Sequence, residues 1–242
     1  MQLFYSPEID QNKQNFTFDK EESRHIIRVL RKKEGDLLFI TNGKGYLIKA
    51  KISFANEKKC LVDIISYEKQ QKNWNYRLHI AIAPTKMNDR FEWFLEKATE
   101  IGIDEITPII CDNSERKALK TERMYKVLVS AMKQSLKFTL PKLNKPAKFS
   151  KIINTNFEGV KFIAHCDDPD QKNTLKNLLQ PGQNVLILIG PEGDFSPKEI
   201  GIALQHKFIP LSLGSSRLRT ETAGIVVCNT ISVINENSSF EN

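Results

Sequence analysis

The residues of this chain best suited to chemistry lie in two short stretches near its C-terminal end. The first, Gly190-Pro191-Glu192-Gly193-Asp194, follows the apolar run "NVLILI" and precedes "FSPKEI". Ser196, Pro197 and Glu199 form a capping-box pattern with proline at the first helical position, so a helix starts at once. Strand, glycine turn and helix is the layout of a nucleotide-binding loop. Gly190 and Gly193 there permit positive φ and a close backbone approach to a ligand. The usual phosphate patterns are missing: the chain has no G-x-x-x-x-G-K-[ST] and no G-x-G-x-x-G after a strand. Glu192 and Asp194 would repel a pyrophosphate. A ligand with a cationic centre, or one whose neutral base is read by backbone groups, fits better. A tight strand-to-helix connection with no ligand uses the same residues equally well. The second stretch, "LSLGSSRLRTETAG" at 211–224, has a strand ending at Gly214 and a helix beginning near Thr220.

Ligands of open α/β sheets collect at the C-terminal ends of the strands, where both turns fall. The elements that must carry them alternate. "YRLHIAIAP" reads as a strand, and "NDRFEWFLEKATEIG" as a helix with Phe91, Phe94, Leu95, Ala98 and Ile101 on one face. "DEITPIIC" is a strand, followed by a long helix through "TERMYKVLVSAMKQSLKF". "VKFIAHCD" and "NVLILIG" are short apolar strands joined by the helical "KNTLKNLLQ". The helix from Ser196, the strand "FIPLSLG" and a helix through "TETAGIVVCNTISVINE" complete the pattern. Such alternation predicts βαβ units around a mostly parallel sheet.

The first 70 residues differ. "DLLFITNGKGYLIKAKISF" holds two strands around Asn42-Gly43-Lys44-Gly45, a hairpin signal, and "KKCLVDIISYEK" supplies another. Asp19 can cap a helix through "KEESRHIIRVLRKK" that ends before Gly35. Residues 68–76, "EKQQKNWNY", are polar and unpatterned and read as a linker, which separates domains at 1–70 and 77–242. There is no internal repeat, and the low-complexity tail is confined to "NENSSFEN".

Thirty-six Lys and Arg against 29 Asp and Glu give a net charge of +7, a balance that favours an anionic partner such as nucleic acid. Cys60, Cys111, Cys166 and Cys228 are dispersed with no C-x-x-C pair, which reads as buried reduced thiols and no metal site. No signal pattern opens the chain and no apolar stretch approaches the ~18 residues of a membrane span, so a cytoplasmic protein is expected.

"LILIGPEGDFSPKEI" followed by "LGSSRLRTETA" resembles the paired C-terminal signature of the SPOUT-class RNA methyltransferases. More closely it is similar to the RsmE family, which methylates N3 of a uridine in 16S ribosomal RNA. "HIIRVLRKKEGD" resembles that family's N-terminal RNA-binding segment, and "DRFEWFLEKATEIGIDEITPIICDNSERK" its central region. The resemblance implies an α/β fold: a small PUA-like β-barrel, then a SPOUT methyltransferase domain whose C-terminus threads into a trefoil knot. It also implies a homodimer through the knotted domain. Periodicity has no access to the knot, a rare exception to unknotted topology.

The implied cofactor is S-adenosylmethionine, whose cationic sulfonium suits an acidic turn. The resemblance assigns it to Ile189, Gly190, Glu192, Gly193, Leu213, Gly214, Leu218 and Ala223. Three departures from the family stand out. Asp194 replaces a frequent second glycine, Ser216-Arg217 shifts a positive charge by one place, and "KQSLKFTLPKL" lacks a following Gly-Arg. Methylation of uridine N3 requires loss of the imide proton. Arg219 is permanently charged and suits the developing anion, and Glu221 is the nearest candidate base, though a carboxylate there also suits a helix N-terminus. Thr220 and Thr222 read as capping residues.

For RNA, Arg24, Arg28 and Arg31 recur at helical spacing beside Lys32, and Lys86 follows the strand "HIAIAP" on the cofactor rim. Phe4 and Tyr5 could stack on a base or pack on the barrel. His25, His79, His165 and His206 are scattered and carry no catalytic assignment. Two other functions fit the same scaffold: a SPOUT ribose 2′-O-methyltransferase, and a non-catalytic rRNA-binding or assembly factor.

Overall fold

The computed structural model describes residues 1–165 and 173–236; Cys166 and the tail from 237 onward lie outside them. The chain falls into two compact units, Met1–Asn73 with Met132–Leu140, and Trp74–Ala131 with Pro141–Asn242.

In the first unit, β1 (Leu3–Tyr5), β2 (Asn15–Thr17), β3 (Leu37–Thr41), β4 (Tyr46–Phe54) and β5 (Leu61–Lys69) form a five-stranded sheet of order β1-β3-β4-β5-β2. The period-2 pattern sets its register. Ile40 faces Ile48, Leu38 faces Ala50 and Ile52 faces Val62, and all six are buried. Lys49, Lys51 and Ser53, the alternate positions, are turned outward; a slip by one residue would bury them instead. Phe4, Phe18 and Ile26 complete this core, where each large side chain contributes about 1.5–3 kcal/mol. The helix is shorter than its sequence pattern. α1 (Lys20–Arg24), capped by Asp19, runs into a single π-helical turn (His25–Val29), and Arg31 at φ 55 ends it.

The second unit holds an eight-stranded parallel sheet. In chain order its elements are β6 (Leu78–Ile82), α2 (Asn88–Ile101), β7 (Glu105–Ile110), α3 (Thr121–Gln134, whose last three residues count with the first unit), β8 (Lys142–Leu143), β9 (Ala147–Lys148) and α4 (Phe149–Ile153). Then follow β10 (Val160–Ala164), β11 (Asn173–Thr174), α5 (Leu175–Leu178), β12 (Val185–Ile189), α6 (Pro197–Gln205), β13 (Ile209–Ser212) and α7 (Thr220–Glu236). The strands run β11-β13-β10-β12-β6-β7-β8, with β9 beside β7. Every residue of β12, Val-Leu-Ile-Leu-Ile, is buried, because helices cover both faces of a parallel sheet. On one face Leu186 and Leu188 join Ile109, Phe149, Phe195 and Ile200 in a single cluster. On the other, α7 lies so close to α2 that a Cβ on Gly224 would sit 2.5 Å from the Phe94 ring.

Three expectations change. α3 stops at Gln134, since Leu136 adopts a left-handed φ of 53. "KNTLKNLLQ" yields only a two-residue strand and the four-residue α5. The polar stretch 68–76 is not all connection: β5 runs to Lys69, Trp74 packs on Gly102, whose φ of 141 needs glycine, and Tyr76 is buried.

Candidate active site

The turn after β12 is built as a rigid bend. Ser196 and Glu199 form the full capping box at the start of α6, with the Glu199 amide donating to Ser196 Oγ at 3.2 Å. The other Glu199 oxygen accepts from the Asp112 amide at 3.0 Å, which ties the loop after β7 to the same helix end. Positive φ falls at neither Gly190 nor Gly193 but at Asp194, φ 61. An aspartate tolerates this conformation because its short side chain bonds locally: Asp194 Oδ1 accepts from the Phe195 amide at 2.8 Å. Gly190 is needed for space instead, since a Cβ would lie 3.1 Å from the Phe195 ring. Asn113 Nδ2 donates to the carbonyls of Gly193 and Asp194, both at 3.1 Å.

The second turn is anchored to the first. Thr220 at the start of α7 donates its hydroxyl to the Gly190 carbonyl at 3.1 Å, so it joins the two turns and does not cap its own helix. Arg217, the shifted charge, reaches the Glu192 carbonyl at 3.4 Å. Gly214 has φ 128 and open space around its missing Cβ, the arrangement of a backbone kept bare for a neighbour.

Together the turns enclose a cavity of about 680 Å³ at the C-terminal ends of β10, β12 and β13. Ile189, Gly190, Glu192, Leu213, Gly214, Leu218 and Ala223 line it; Gly193 does not. Ala164, His165, Asp194 and Thr220 line it as well. Ala164 and His165 were not singled out from sequence because β10 lies far from the turns along the chain. The usable signal was its place at the end of a neighbouring strand. The mixture of bare backbone, apolar walls and the Glu192 and Asp194 carboxylates accommodates an adenosine-like ligand carrying a positive centre.

Arg219 also lines a second, open cavity of about 630 Å³ with Asp89, Arg90, Trp93, Glu221 and Thr222. Glu221 is only 6 % exposed, in the first turn of α7. Its Oε1 lies 3.8 Å from Arg90 Nε, and its Oε2 is buried without a hydrogen-bond partner among the described residues. A buried carboxylate oxygen left open in this way is costly for stability alone.

The RNA candidates are less regular than their spacing. Arg24 and Arg28 are exposed on α1 and the π turn, but Arg31 leaves the helix and does not continue the stripe. Lys32 is half-buried, with its amide bonded to the Ile26 carbonyl. Lys86 sits beside the first turn, its amide donating to Glu192 Oε1 at 2.9 Å. Its ammonium pairs with Glu115 at 2.9 Å, and that hydrogen bond raises its pKa. Phe4 is core, 1 % exposed and edge-on to Phe18. The described cysteines, Cys60, Cys111 and Cys228, are buried free thiols, and burial pushes Cys60 up to about 11. The described residues hold no cluster of metal-binding side chains and no helix long and apolar enough to cross a membrane.

Known proteins place this geometry. The model of the RNA methyltransferase domain matches residues 72–232, and that of the RNA methyltransferase PUA domain matches 18–65. The fold and paired turns thus define a PUA-containing RNA methyltransferase. Ribosomal RNA small subunit methyltransferase E of Buchnera aphidicola subsp. Acyrthosiphon pisum is 31 % identical over 238 residues, covering 95 % of this chain and 91 % of its own. A solved chain from Porphyromonas gingivalis, a probable rRNA-methyltransferase, is 44 % identical with a TM-score of 0.92, covering 98 % of this chain and 100 % of its own. One from Legionella pneumophila, in complex with the bound cofactor SAM, is 29 % identical with a TM-score of 0.85, covering 96 % and 97 %. The chain belongs to the ribosomal RNA small subunit methyltransferase E family.

Proposed function

We propose that this protein is an S-adenosylmethionine-dependent methyltransferase that modifies N3 of a uridine in the 16S RNA of the small ribosomal subunit. The carrying observation is the cavity enclosed by the two linked glycine turns, with Arg219 at its border with the Glu221 pocket. Ile189, Gly190, Glu192, Leu213, Gly214, Leu218 and Ala223 hold the cofactor, with Gly193 shaping the turn through Asn113. S-adenosylmethionine supplies a methyl group on a sulfonium, an excellent leaving group.

The protein's own tasks are orientation and charge. Glu221 takes the N3 proton and passes it to water. The freed nitrogen pair forms the new bond to carbon, and the carbon–sulfur pair stays on sulfur. Arg219 balances the negative charge that builds on the uracil oxygens, where a fixed cation lowers the barrier without reorganisation. The C-terminal thread of the methyltransferase domain forms a trefoil knot, two copies pair through it, and the protein works in the cytoplasm.

Arg24, Arg28, Arg31, Lys32 and Lys86 contact RNA phosphates. Replacing Arg24 and Arg28 with Ala lowers the log–log salt slope of RNA binding by ~0.7 for each lost contact on single strands. The chemistry is tested by nucleoside mass spectrometry of small-subunit rRNA treated with protein and labelled S-adenosylmethionine. The label appears in N3-methyluridine; label on a ribose 2′-oxygen, or none, refutes the reading.

A further inference from the structure

Beside the cofactor cavity lies the second, open pocket, which shares Arg219 with it and adds Trp93 and Arg90. Glu221 lines the pocket, and its carboxylate is buried, with Oε2 unpartnered among the described residues. One wall is Trp93, on α2 one turn from Arg90. Trp93 is 43 % exposed, although large aromatics on amphipathic helices normally face the core, as its neighbours Phe91 and Phe94 do. Arg219 lines the pocket too and is shared with the cofactor cavity. An indole face, a guanidinium and an open buried carboxylate at one opening complement one kind of ligand: a flat ring with carbonyl oxygens flanking an acidic N–H.

We infer that this pocket receives the target uracil, with Trp93 as the stacking platform and Arg90 as a positioning residue that holds Glu221. The inference rests on the reading of the chain as a uridine N3-methyltransferase and adds the site of the base. A base inside duplex or stacked RNA cannot present N3, so it must leave the stack, and an aromatic platform offsets the lost stacking. Stacking has no strict geometry, so Phe at position 93 suffices and an aliphatic residue does not. Arg90 lies 3.8 Å from Glu221 Oε1, a separation that steers the carboxylate without satisfying it. The second oxygen therefore stays available for the N3 proton.

The test uses the whole protein and unmodified small-subunit rRNA in single-turnover assays. Trp93→Ala should lose roughly 10–100-fold in methyl transfer, as expected for one base–aromatic stack. Trp93→Phe should stay within about 3-fold, with cofactor affinity by calorimetry and the melting temperature unchanged in both. Arg90→Gln should lower the rate most at acidic pH, with partial recovery as the pH rises and uridine ionises without help.

A binding readout independent of turnover comes from fluorescence. The chain has two tryptophans, so in a Trp74→Phe background Trp93 reports alone. Oligo(U) should quench it, and the same oligomer carrying abasic sites should not. Normal transfer by Trp93→Ala, while the wild type makes N3-methyluridine, overturns the pocket and leaves the functional reading intact. A wild type that makes no N3-methyluridine removes that reading instead. Loss of activity in Trp93→Ala together with a changed mass in light scattering overturns the inference in favour of a subunit contact.

Discussion

At the N-terminal ends of β6, β7 and β8 the Glu105 carboxylate accepts hydrogen bonds from Arg77, Lys142 and Asn144, and buried His79 bonds the Thr107 hydroxyl at 2.8 Å. Beside the turn after β12, the Glu221 carboxylate is equally buried, yet one oxygen has no partner among the described residues and its nearest cation is 3.8 Å away. Both carboxylates belong to the same unit. Glu105 has a donor on each oxygen within the fold, which makes it structural. Glu221 leaves capacity unused at an opening, which costs stability and is retained where a ligand completes it. Burial alone does not separate the two carboxylates; the state of their hydrogen bonds does, and on the proposed reading it marks Glu221 as the functional one.

The largest expected effect tests the open end. Arg219→Ala should cut single-turnover methyl transfer by roughly 10²–10³-fold, by analogy with losing one oxyanion donor, while S-adenosylmethionine affinity holds. Loss of cofactor affinity instead would move Arg219 wholly into the first cavity.

At the saturated end Glu105→Ala should cost about 2–3 kcal/mol in urea unfolding, mostly from the groups left unpaired around it. Arg77 and Lys142 are half-exposed or more, so water takes over part of their loss. Methyl transfer per folded molecule should not change. An equal loss of both quantities would erase the distinction between the two ends.

Acid sharpens the same comparison. Burial lowers His79 to about 4 from 6.5, against the opposing charge of Glu105. The unfolded chain then takes up the proton first, so stability is complete above about pH 6.5 and declines as pH falls toward 4. Burial alone would raise the Glu105 carboxyl, but hydrogen bonds from Asn144 and Arg77 outweigh it and hold it at about 2 against 4.5. Its stability is complete above about 4.5 and is lost as pH falls toward 2. Between pH 7 and 5 the His79 contribution amounts to about 2 kcal/mol of unfolding free energy, read from urea titrations at the two pH values. His79→Gln should flatten that slope.

The smallest effect concerns Asp194. Relief of its left-handed φ on changing to Gly is offset by the lost bond to the Phe195 amide and by the greater freedom of the unfolded chain. Asp194→Gly should therefore shift stability by less than about 1 kcal/mol and leave cofactor affinity near normal. A large drop in affinity would make the carboxylate a ligand contact.

The sequence by itself determined the elements whose cause is local. Ile48, Ala50 and Ile52 alternate because one face of a sheet is buried, and Ser196, Pro197 and Glu199 start α6 because capping depends on residues within one turn. The two glycine turns were visible for the same reason. Only the tertiary structure decided what those turns meet. Thr220 bonds a carbonyl 30 residues away, Asn113 holds the first turn from the loop after β7, and His165 lines the cavity from just past the end of β10. Positive φ settled on Asp194 and not on either glycine of the turn, since the path of the chain between β12 and α6 sets that angle. Arg31 left its helical stripe at a left-handed φ that three arginines at helical spacing do not reveal. Trp93, Arg90 and Glu221 come together only because Gly224 lets α7 lie against α2, a contact across more than a hundred residues that no local pattern encodes.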